Sequence, residues 1–365
     1  MSPQRREIHS IYIEWAKLRS HARYCLASSG VLDYPLAELG VRVEDLEITA
    51  PVSYGYAPLI QRLAAKAGVP EDCVVHTQGT SMANHLVMAS LLEAGDEVLI
   101  EEPAYEAIFA TALYLGARIR RFPRRFEAGF QVDPREVERG ISPRTRLIIL
   151  SNLHNPSGVR TPEDALGIVG EIARSLGAHV LVDEVYLESC FDSAWQPAFR
   201  LGHNFVSTGS LTKAYGLGGL RCGWVLAAAP LAERMWRIND LFGVTAAHPA
   251  DLLSAIALDK LPQIAARARK LLDANRALLK DFLDSRRDLI TIWPKEGPIA
   301  FPQLADGHAD AFCHLLSEKY ETSVVPGRFF EAPEHIRIGV GGKTEDVSEG
   351  LSRVAAALDE LAARR

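Results

Sequence analysis

Short apolar runs that alternate with helical patterns restrict the fold of this sequence more than any other feature. They occupy the chain from about Pro51 to about Lys260. Apolar runs this continuous are typical of strands covered on both faces. The strand candidates are CVVHT, DEVLIEE, ARIRRF, RLIILSN, HVLVDEV, NFVSTGS and CGWVLAA, and the helical patterns lie at Ser81–Ala94, Ala104–Leu115, Thr161–Leu176 and Leu231–Leu241. This order predicts an α/β fold, a mostly parallel sheet sandwiched by helices.

The pattern changes after residue 260. Leu261–Arg286 is a long amphipathic helical pattern, and ITIWPKEGPIAF and HIRIGVG have the composition of strands. Two more helical patterns lie at His308–Lys319 and Glu345–Ala362. The first 50 residues carry no comparable series of strands. We therefore expect a large domain at 51–260, a smaller α+β domain at 261–365 that begins with an interdomain helix, and an N-terminal arm at 1–50 that packs with the C-terminal part.

Charge and cysteine content exclude several classes of protein. The chain carries 40 Lys and Arg against 46 Asp and Glu, a formal charge of −6, whereas proteins that bind nucleic acid or acidic membranes need a basic excess. No apolar run is long enough to span a bilayer, and the N-terminus lacks the apolar core of a secretory signal. Five cysteines without a C-x-x-C pair argue against a metal site and are typical of a reducing cytosol. We therefore expect a cytoplasmic protein without metal.

Polar side chains suited to covalent and acid–base chemistry lie where three predicted strands end. RLIIL is followed by Asn155, HVLVDEV contains Asp183 and precedes Tyr186, and NFVSTGS runs into Lys213. Ligands of an open α/β sheet bind at this edge. A lysine at a strand end beside a Gly-rich turn is a candidate for Schiff-base formation, which needs a carbonyl cofactor. Pyridoxal phosphate is the cofactor that this set of residues indicates.

Each part of pyridoxal phosphate finds a suitable residue in this set. Its ring nitrogen needs an acidic partner, for which Asp183 is the candidate, and its phenolic oxygen needs donors such as Asn155 and Tyr186. Its phosphate suits a helix N-terminus, hydroxyls and a guanidinium. The candidates for the phosphate are Gly79, Thr80, Ser81, Ser210 and Arg221, and Tyr105 is the candidate for stacking on the ring.

The sequence resembles the class I/II aminotransferases, which are fold-type-I pyridoxal-phosphate enzymes. The matching stretches are SNLHNPSG, LVDEVY, SLTKAYGLGGLRCGW and HIRIGVG, in this order. The resemblance implies that Lys213 holds the cofactor and moves the proton between the substrate Cα and the cofactor. It implies that Asp183 binds the ring nitrogen and that Arg337 binds the substrate α-carboxylate.

The resemblance also implies roles that depend on the position of loops and of a second subunit. Members of the family are usually homodimers in which a partner tyrosine reaches the phosphate, and Tyr54 or Tyr56 is the candidate here. Gly30, in LASSGV, resembles the backbone glycine that faces the substrate, and Asn155 is a further substrate contact. The substrates implied are an amino acid and a 2-oxo acid. VTAAHPAD contains Thr245 and His248 but no arginine, which puts a dicarboxylic substrate in doubt.

Three other functions are alternatives to this interpretation. A lyase, cyclase or dehydratase on the same fold would use the same cofactor residues, so the sequence barely separates it from an aminotransferase. An effector-sensing domain of a transcription regulator would need a DNA-binding region, which the first 50 residues do not resemble. Gly216–Gly219 lacks the third glycine and the following helix of a dinucleotide site.

We expect His154 and His248 to be structural, and the cluster Arg120, Arg121, Arg124 and Arg125 to be a solvated edge.

Overall fold

The computed structural model describes residues 8–49, 53–191 and 195–363. Its strands are β1 (Tyr24–Cys25), β2 (Val74–Gln78), β3 (Glu97–Glu102), β4 (Arg118–Pro123), β5 (Thr145–Ser151), β6 (His179–Asp183), β7 (Phe205–Ser210), β8 (Cys222–Leu226), β9 (Leu289–Ile290), β10 (Ile299–Ala300), β11 (Gln303–Leu304), β12 (Thr322–Ser323), β13 (Val325–Pro326) and β14 (Ile336–Gly339). Its helices are α1 (Ile11–Leu18), α2 (Leu36–Leu39), α3 (Ala57–Ala67), α4 (Thr80–Leu91), α5 (Glu106–Tyr114), α6 (Pro134–Gly140), α7 (Glu163–Ser175), α8 (Thr212–Tyr215), α9 (Ala229–Asn239), α10 (His248–Asp259), α11 (Leu261–Asp284), α12 (Ala309–Tyr320) and α13 (Thr344–Ala363).

A seven-stranded sheet forms the centre of the molecule, in the order β2-β8-β7-β6-β5-β3-β4. All of its strands run parallel except β8, which is antiparallel to both β2 and β7. Because β8 is reversed, its amino end lies beside the carboxyl ends of its neighbours, and Cys222 pairs with Gln78 while Gly223 pairs with Ser210. The fold class predicted from the sequence is therefore confirmed, with one reversed strand in the sheet.

Helices cover both faces of this sheet, as the continuous apolar runs predict. In β6, Leu181 packs in the cluster that includes side chains of α4, α5 and α9. Its neighbours Val180 and Val182 point to the opposite face and pack with α7. Adjacent residues of a strand face opposite sides, so a strand buried on both faces needs apolar residues at every position. All five positions of β8, and four of the five in β6, are buried.

The N-terminal arm and the C-terminal part share strands and a core. β1 pairs in parallel with β12, and Leu26 lies in the apolar cluster of α12, α13 and β14. ITIWPKEGPIAF begins at the last residue of the short strand β9 and contains β10, and its middle is irregular. The boundaries 51–260 and 261–365 stay predictions. Within the described ranges no helix is both long and apolar enough to cross a bilayer.

Arg124 corrects the prediction that the basic cluster is solvated. Arg125 and Arg120 are exposed, but Arg124 is fully buried and its Nη1 lies 2.7 Å from Oε2 of Glu101. Its Nη2 donates to Oγ1 of Thr161. Thr161, where the sequence predicts that a helical pattern begins, lies outside α7, which starts at Glu163. Pro162 occupies the position before that helix.

Replacing Arg124 by leucine should strongly destabilise the protein, because the Glu101 carboxylate would stay buried without its partner. We expect the free energy of unfolding to fall by about 3–5 kcal/mol, measured by urea denaturation. The control is Arg125→Leu, which removes the neighbouring exposed arginine and its 3.4 Å contact with Glu136; it should change stability by about 0.5 kcal/mol or less. Equal effects of the two substitutions would contradict this account of the buried pair.

Candidate active site

The residues singled out in the sequence meet in one cavity at the carboxyl edge of the sheet. The cavity has a volume of about 470 Å³. Ten of the predicted residues line it: Thr80, Ser81, Tyr105, Asn155, Asp183, Tyr186, Ser210, Lys213, Arg221 and Arg337. Eight of them lie at or just after the ends of β2, β3, β5, β6 and β7, whereas Arg221 precedes β8 and Arg337 lies in β14. This is why they are far apart in the sequence. The hydrogen bonds, burial and charges around each side chain determine which of the predicted roles it can take.

Lys213 lies in the one-turn helix α8, just after β7 ends at Ser210. The N-terminal arm holds this segment, because the backbone N–H of Val31 donates to the carbonyl oxygen of Lys213 at 2.9 Å. Gly30 contacts the lysine directly; a Cβ there would lie 3.2 Å from Cδ of Lys213. Burial, together with the charges of Arg337 and Arg221, lowers the pKa of the Lys213 amine to about 8. The amine is thus largely neutral, and nucleophilic, at mildly alkaline pH.

Asp183 faces this amine from the end of β6 and is 4% exposed. Its Oδ2 accepts a hydrogen bond of 2.8 Å from Nδ2 of Asn84, and Asn84 in turn accepts one from Thr208. Burial raises the pKa of Asp183, while the bonds from Asn84 and from the N–H of Val185 and the charge of Lys213 oppose that rise. These contacts fix an acidic group with little room to rotate. Asn84 was missed in the sequence; its signal is an amide one helical turn after Thr80, on the inner face of α4.

The N-terminus of α4 and the side chain of Arg221 form a pocket for an anion. Gly79 precedes the helix with φ of 83°, and a Cβ on it would lie 2.2 Å from Nη2 of Arg221, so this position needs glycine. The Oγ1 atom of Thr80 is buried and has no hydrogen-bond partner in the described part of the chain. Free N–H groups at a helix N-terminus, an unpaired hydroxyl and a guanidinium match the chemistry of a phosphate group.

Arg337, in β14, lies on the other side of the cavity and is 1% exposed. Its Nη1 donates to Oδ1 of Asn155 at 2.9 Å, and its Nη2 donates to the hydroxyl of Tyr12 at 2.7 Å. Its buried Nε has no partner among the described residues. A guanidinium with a free N–H group beside an open cavity fits a carboxylate ligand. Tyr12 was also missed, because nothing in the sequence of α1 indicates a contact with a residue more than 300 positions away.

Buried hydrogen bonds hold the backbone of Asn155, and the side chain of Tyr186 is itself buried. The backbone N–H of Asn155 donates to Oγ of Ser151, which donates to the carboxylate of Glu101. The pair of Glu101 and Arg124 thus lies directly beneath the cavity. Tyr186 is 2% exposed, and burial raises its pKa to about 12. The phenol therefore stays protonated and can donate a hydrogen bond at neutral pH.

The remaining predicted residues divide between the cavity and the surface. Tyr105 lines the cavity, and its ring meets that of Tyr12 edge-on with centroids 5.7 Å apart; burial raises its pKa. Tyr54 is 49% exposed and its hydroxyl donates to Asp240. Tyr56 packs against His248 in a separate cavity. In the single chain neither Tyr54 nor Tyr56 lines the cavity that contains Lys213, so their role stays a prediction.

His154 has the structural role expected from the sequence. Its ring nitrogens lie 2.6 Å from Oγ of Ser157 and 2.9 Å from the carbonyl oxygen of Pro103. Burial lowers its pKa well below the ordinary value. The imidazole is therefore neutral and fully hydrogen-bonded, and it holds the Asn155–Gly158 turn against the end of β3.

The family model of aminotransferases of class I and II matches residues 49–354. The chain belongs to this family. This aminotransferase is 30% identical to capreomycidine synthase of Streptomyces vinaceus, over 94% of this chain and 92% of the relative. It is also 30% identical to the arginine–pyruvate transaminase AruH of Pseudomonas aeruginosa, over 84% and 81% of the two chains.

Solved structures agree with the family assignment. The aminotransferase superposes on a PLP-dependent aminotransferase from Streptococcus suis with a TM-score of 0.91 and 26% identity, over 97% of this chain and 99% of the other. It superposes on the PLP-dependent cyclase OrfR with a TM-score of 0.87 and 26% identity, over 98% and 99%. The enzyme is a pyridoxal-phosphate-dependent aminotransferase, and the anion pocket, the acid and the amine described above fit this cofactor.

The lowered pKa of Lys213 predicts how the cofactor-free enzyme reacts with an amine-acylating reagent. A lowered pKa means that the neutral, reactive amine forms as the pH rises through about 8, rather than through the ordinary value of about 10.4. Peptide mapping by mass spectrometry at a series of pH values measures the midpoint. The control is the same lysine in guanidinium chloride, where the midpoint should return to about 10.4. A midpoint near 10 in the folded protein would contradict the described surroundings.

Proposed function

We propose that the ten residues lining the cavity carry out transamination between an amino acid and a 2-oxo acid, in a ping-pong cycle. The observation that carries the proposal is that Lys213, Asp183 and Arg337 line one cavity. An amine that can be covalently substituted, an acid and a carboxylate clamp are the three protein groups that this reaction needs. Hydrogen bonds from other elements of the fold hold Lys213, Asp183 and Arg337 in position.

Different residues of the cavity would bind different parts of the cofactor. Pyridoxal phosphate supplies an aldehyde carbon that takes up the amino group and a ring that accepts the electron pair of the broken Cα–H bond. Thr80, Ser81, Ser210 and Arg221 hold its phosphate, and Asp183 keeps a proton on its ring nitrogen. Asn155 and the protonated Tyr186 donate to its phenolic oxygen, and Tyr105 covers one face of its ring.

Lys213 has two tasks in this scheme. Its amine would hold the cofactor covalently, and once an amino acid has taken its place the freed amine would accept the proton from Cα. Because the pKa of the free amine is about 8, about half of it is neutral at pH 8 and can accept that proton. A base positioned in this way contributes about 10²–10⁴-fold to the rate. Arg337 binds the α-carboxylate of the amino acid and of the oxo acid alike, so the same site serves both halves of the cycle.

The test is a half-reaction of the holoenzyme with single amino acids. We expect one equivalent of 2-oxo acid and one of pyridoxamine phosphate per active site, measured by chromatography. Lys213→Ala should abolish fixation of the cofactor by borohydride, whereas the exposed-lysine control Lys270→Ala should retain it. If borohydride still fixes the cofactor to the Lys213→Ala protein, the assignment of the lysine is wrong.

A cyclase activity is the second candidate, favoured by the similarity to capreomycidine synthase and to OrfR. The cofactor residues serve both reactions, so the products distinguish them. A cyclised or ammonia-releasing product without accumulation of pyridoxamine phosphate would replace transamination by this alternative.

We further propose that the enzyme is a cytoplasmic homodimer. All five cysteines are free, which suits a reducing compartment. A cavity of about 610 Å³ is lined by Tyr56, Ile48 and Val244, of which the last two are exposed apolar side chains. Leu241 and Phe242 are exposed in the same loop. Apolar surface of this kind supports a contact with a second copy of the chain. In the proposed dimer Tyr54 and Tyr56 lie near that contact.

Tyr54→Phe and Tyr56→Phe test the dimer and identify the tyrosine that reaches the partner's phosphate. Sedimentation equilibrium should show a dimer for the native chain and for both variants. Loss of a hydrogen bond to a charged group costs about 1.5–3 kcal/mol, so one variant should bind pyridoxal phosphate about tenfold or more weakly while the other serves as its control. A monomeric enzyme with full cofactor affinity would refute this proposal.

A further inference from the structure

The helix α1 forms the roof of the active-site cavity, and the motifs that indicate the cofactor do not include it. Tyr12, Ile13, Trp15 and Ala16 line the cavity, whereas Glu14 and Lys17 of the same helix are exposed. The helix therefore presents aromatic and apolar side chains to the cavity and turns both charged side chains to solvent. This separation of faces follows from the spacing of IYIEWAKL, in which residues three and four apart lie on one side.

Two contacts fix α1 in this position. The Ser10 hydroxyl donates to the Glu106 carboxylate, and the N–H of Ile11 donates to the same carboxylate at 3.3 Å. The hydroxyl of Tyr12 accepts the 2.7 Å bond from Arg337. Glu106 is 8% exposed, so its bonds to the start of the helix are partly shielded from water. The roof is thus held both by α5 and by the residue assigned to the substrate carboxylate.

The charged groups that line the cavity all have a task in the proposed function. Among the described residues these groups are Asp183, Lys213, Arg221 and Arg337. His21 lies at the exposed mouth, where its Nε2 contacts the carbonyl oxygen of Lys17. A guanidinium or ammonium on the substrate side chain would find no free carboxylate among the described residues that line the cavity. A second carboxylate would find no free arginine among those same residues, and a buried charge without a partner is strongly disfavoured.

The surface proposed to meet a second subunit includes the loop GVTAAH. This loop carries no acid, lysine or arginine that could pair with a charged substrate side chain. Gly243–His248 line the cavity of about 610 Å³ and contain neither an acid nor a Lys or Arg. The acid in that cavity, Asp251, is 6% exposed and lies 3.5 Å from Nδ1 of His76. The Asp251 carboxylate is therefore already in contact with a side chain of its own subunit.

We propose that α1 selects amino acids whose side chains are apolar or aromatic, and that these side chains pack against Trp15 and the ring of Tyr12. The inference rests on the proposed function, since it takes Arg337 as the carboxylate site. With the α-carboxylate on Arg337, beside the hydroxyl of Tyr12, a long side chain extends along the roof. The side chain of alanine is too short to fill this space, so alanine is an internal control for contacts with α1.

The experiment measures the affinity of the holoenzyme for amino acid analogues that lack the amino group and cannot react. Isothermal titration calorimetry gives the Kd of 3-phenylpropanoate, propanoate, succinate and 5-guanidinopentanoate. We expect 3-phenylpropanoate to bind about tenfold or more tightly than the other three, because each methylene in an apolar pocket contributes about 10–200-fold. Succinate or 5-guanidinopentanoate binding as tightly as 3-phenylpropanoate would overturn the proposal.

Three variants locate the selectivity on α1. Trp15→Ala should weaken 3-phenylpropanoate about tenfold and change the Kd of propanoate less than about twofold. Tyr12→Phe keeps the ring but removes the hydroxyl, and should weaken all four carboxylates to a similar extent. Leu18→Ala is the matched control, because Leu18 belongs to the same helix but is 70% exposed; it should change none of the values. Unchanged selectivity in Trp15→Ala would refute the role of the roof.

The cofactor absorbance and melting temperature of each variant show that it is folded and loaded before its Kd is compared. The half-reaction with phenylalanine, leucine and alanine separates this inference from the proposed function. If 3-phenylpropanoate is preferred but no amino acid yields pyridoxamine phosphate, the selectivity of the roof stands and transamination fails. If amino acids react but arginine or aspartate reacts faster than phenylalanine and leucine, transamination stands and the selectivity fails.

Discussion

A buried acid opposite a buried amine is the arrangement on which the rest of this active site depends. Asp183 and Lys213 lose most of their hydration at the sheet edge, and burial shifts both pKa values toward the neutral forms. The hydrogen bonds from Asn84 and Val185 counteract the shift on the acid, whereas the arginine charges reinforce it on the amine. The fold therefore holds a hydrogen-bonded acid and a reactive amine in one cavity, which is the combination that chemistry on an amino acid requires.

Support for this arrangement comes from elements that do not touch a ligand. Glu101 and Arg124 form a buried ion pair that holds Ser151, and Ser151 holds the backbone of Asn155. On the opposite side, the N-terminal arm binds the backbone of Lys213 through Val31. Hydrogen bonds from distant parts of the chain thus hold the segments on two sides of the cavity.

The sheet and most of the residues that line the cavity could be predicted because their signal is local. A buried strand is an apolar run, and a residue at its carboxyl end is read directly from the sequence, as with Asp183. Asn84 and Tyr12 escaped prediction because their importance comes from contacts with residues about 100 and more than 300 positions away. Arg124 was predicted to be solvated because a cluster of arginines is usually exposed, and only the fold places Glu101 beside it.

The reversed strand β8 has a consequence for the order in which the enzyme can be made. In the central sheet β2 lies at the edge and pairs with β8 alone. A nascent chain leaving the ribosome must therefore hold β2 and α4 without a sheet partner until Leu226 has emerged. Only then do Thr80 and Arg221 come together. The anion pocket that contains Thr80 and Arg221 thus becomes complete only after the last strand of the central sheet has been synthesised.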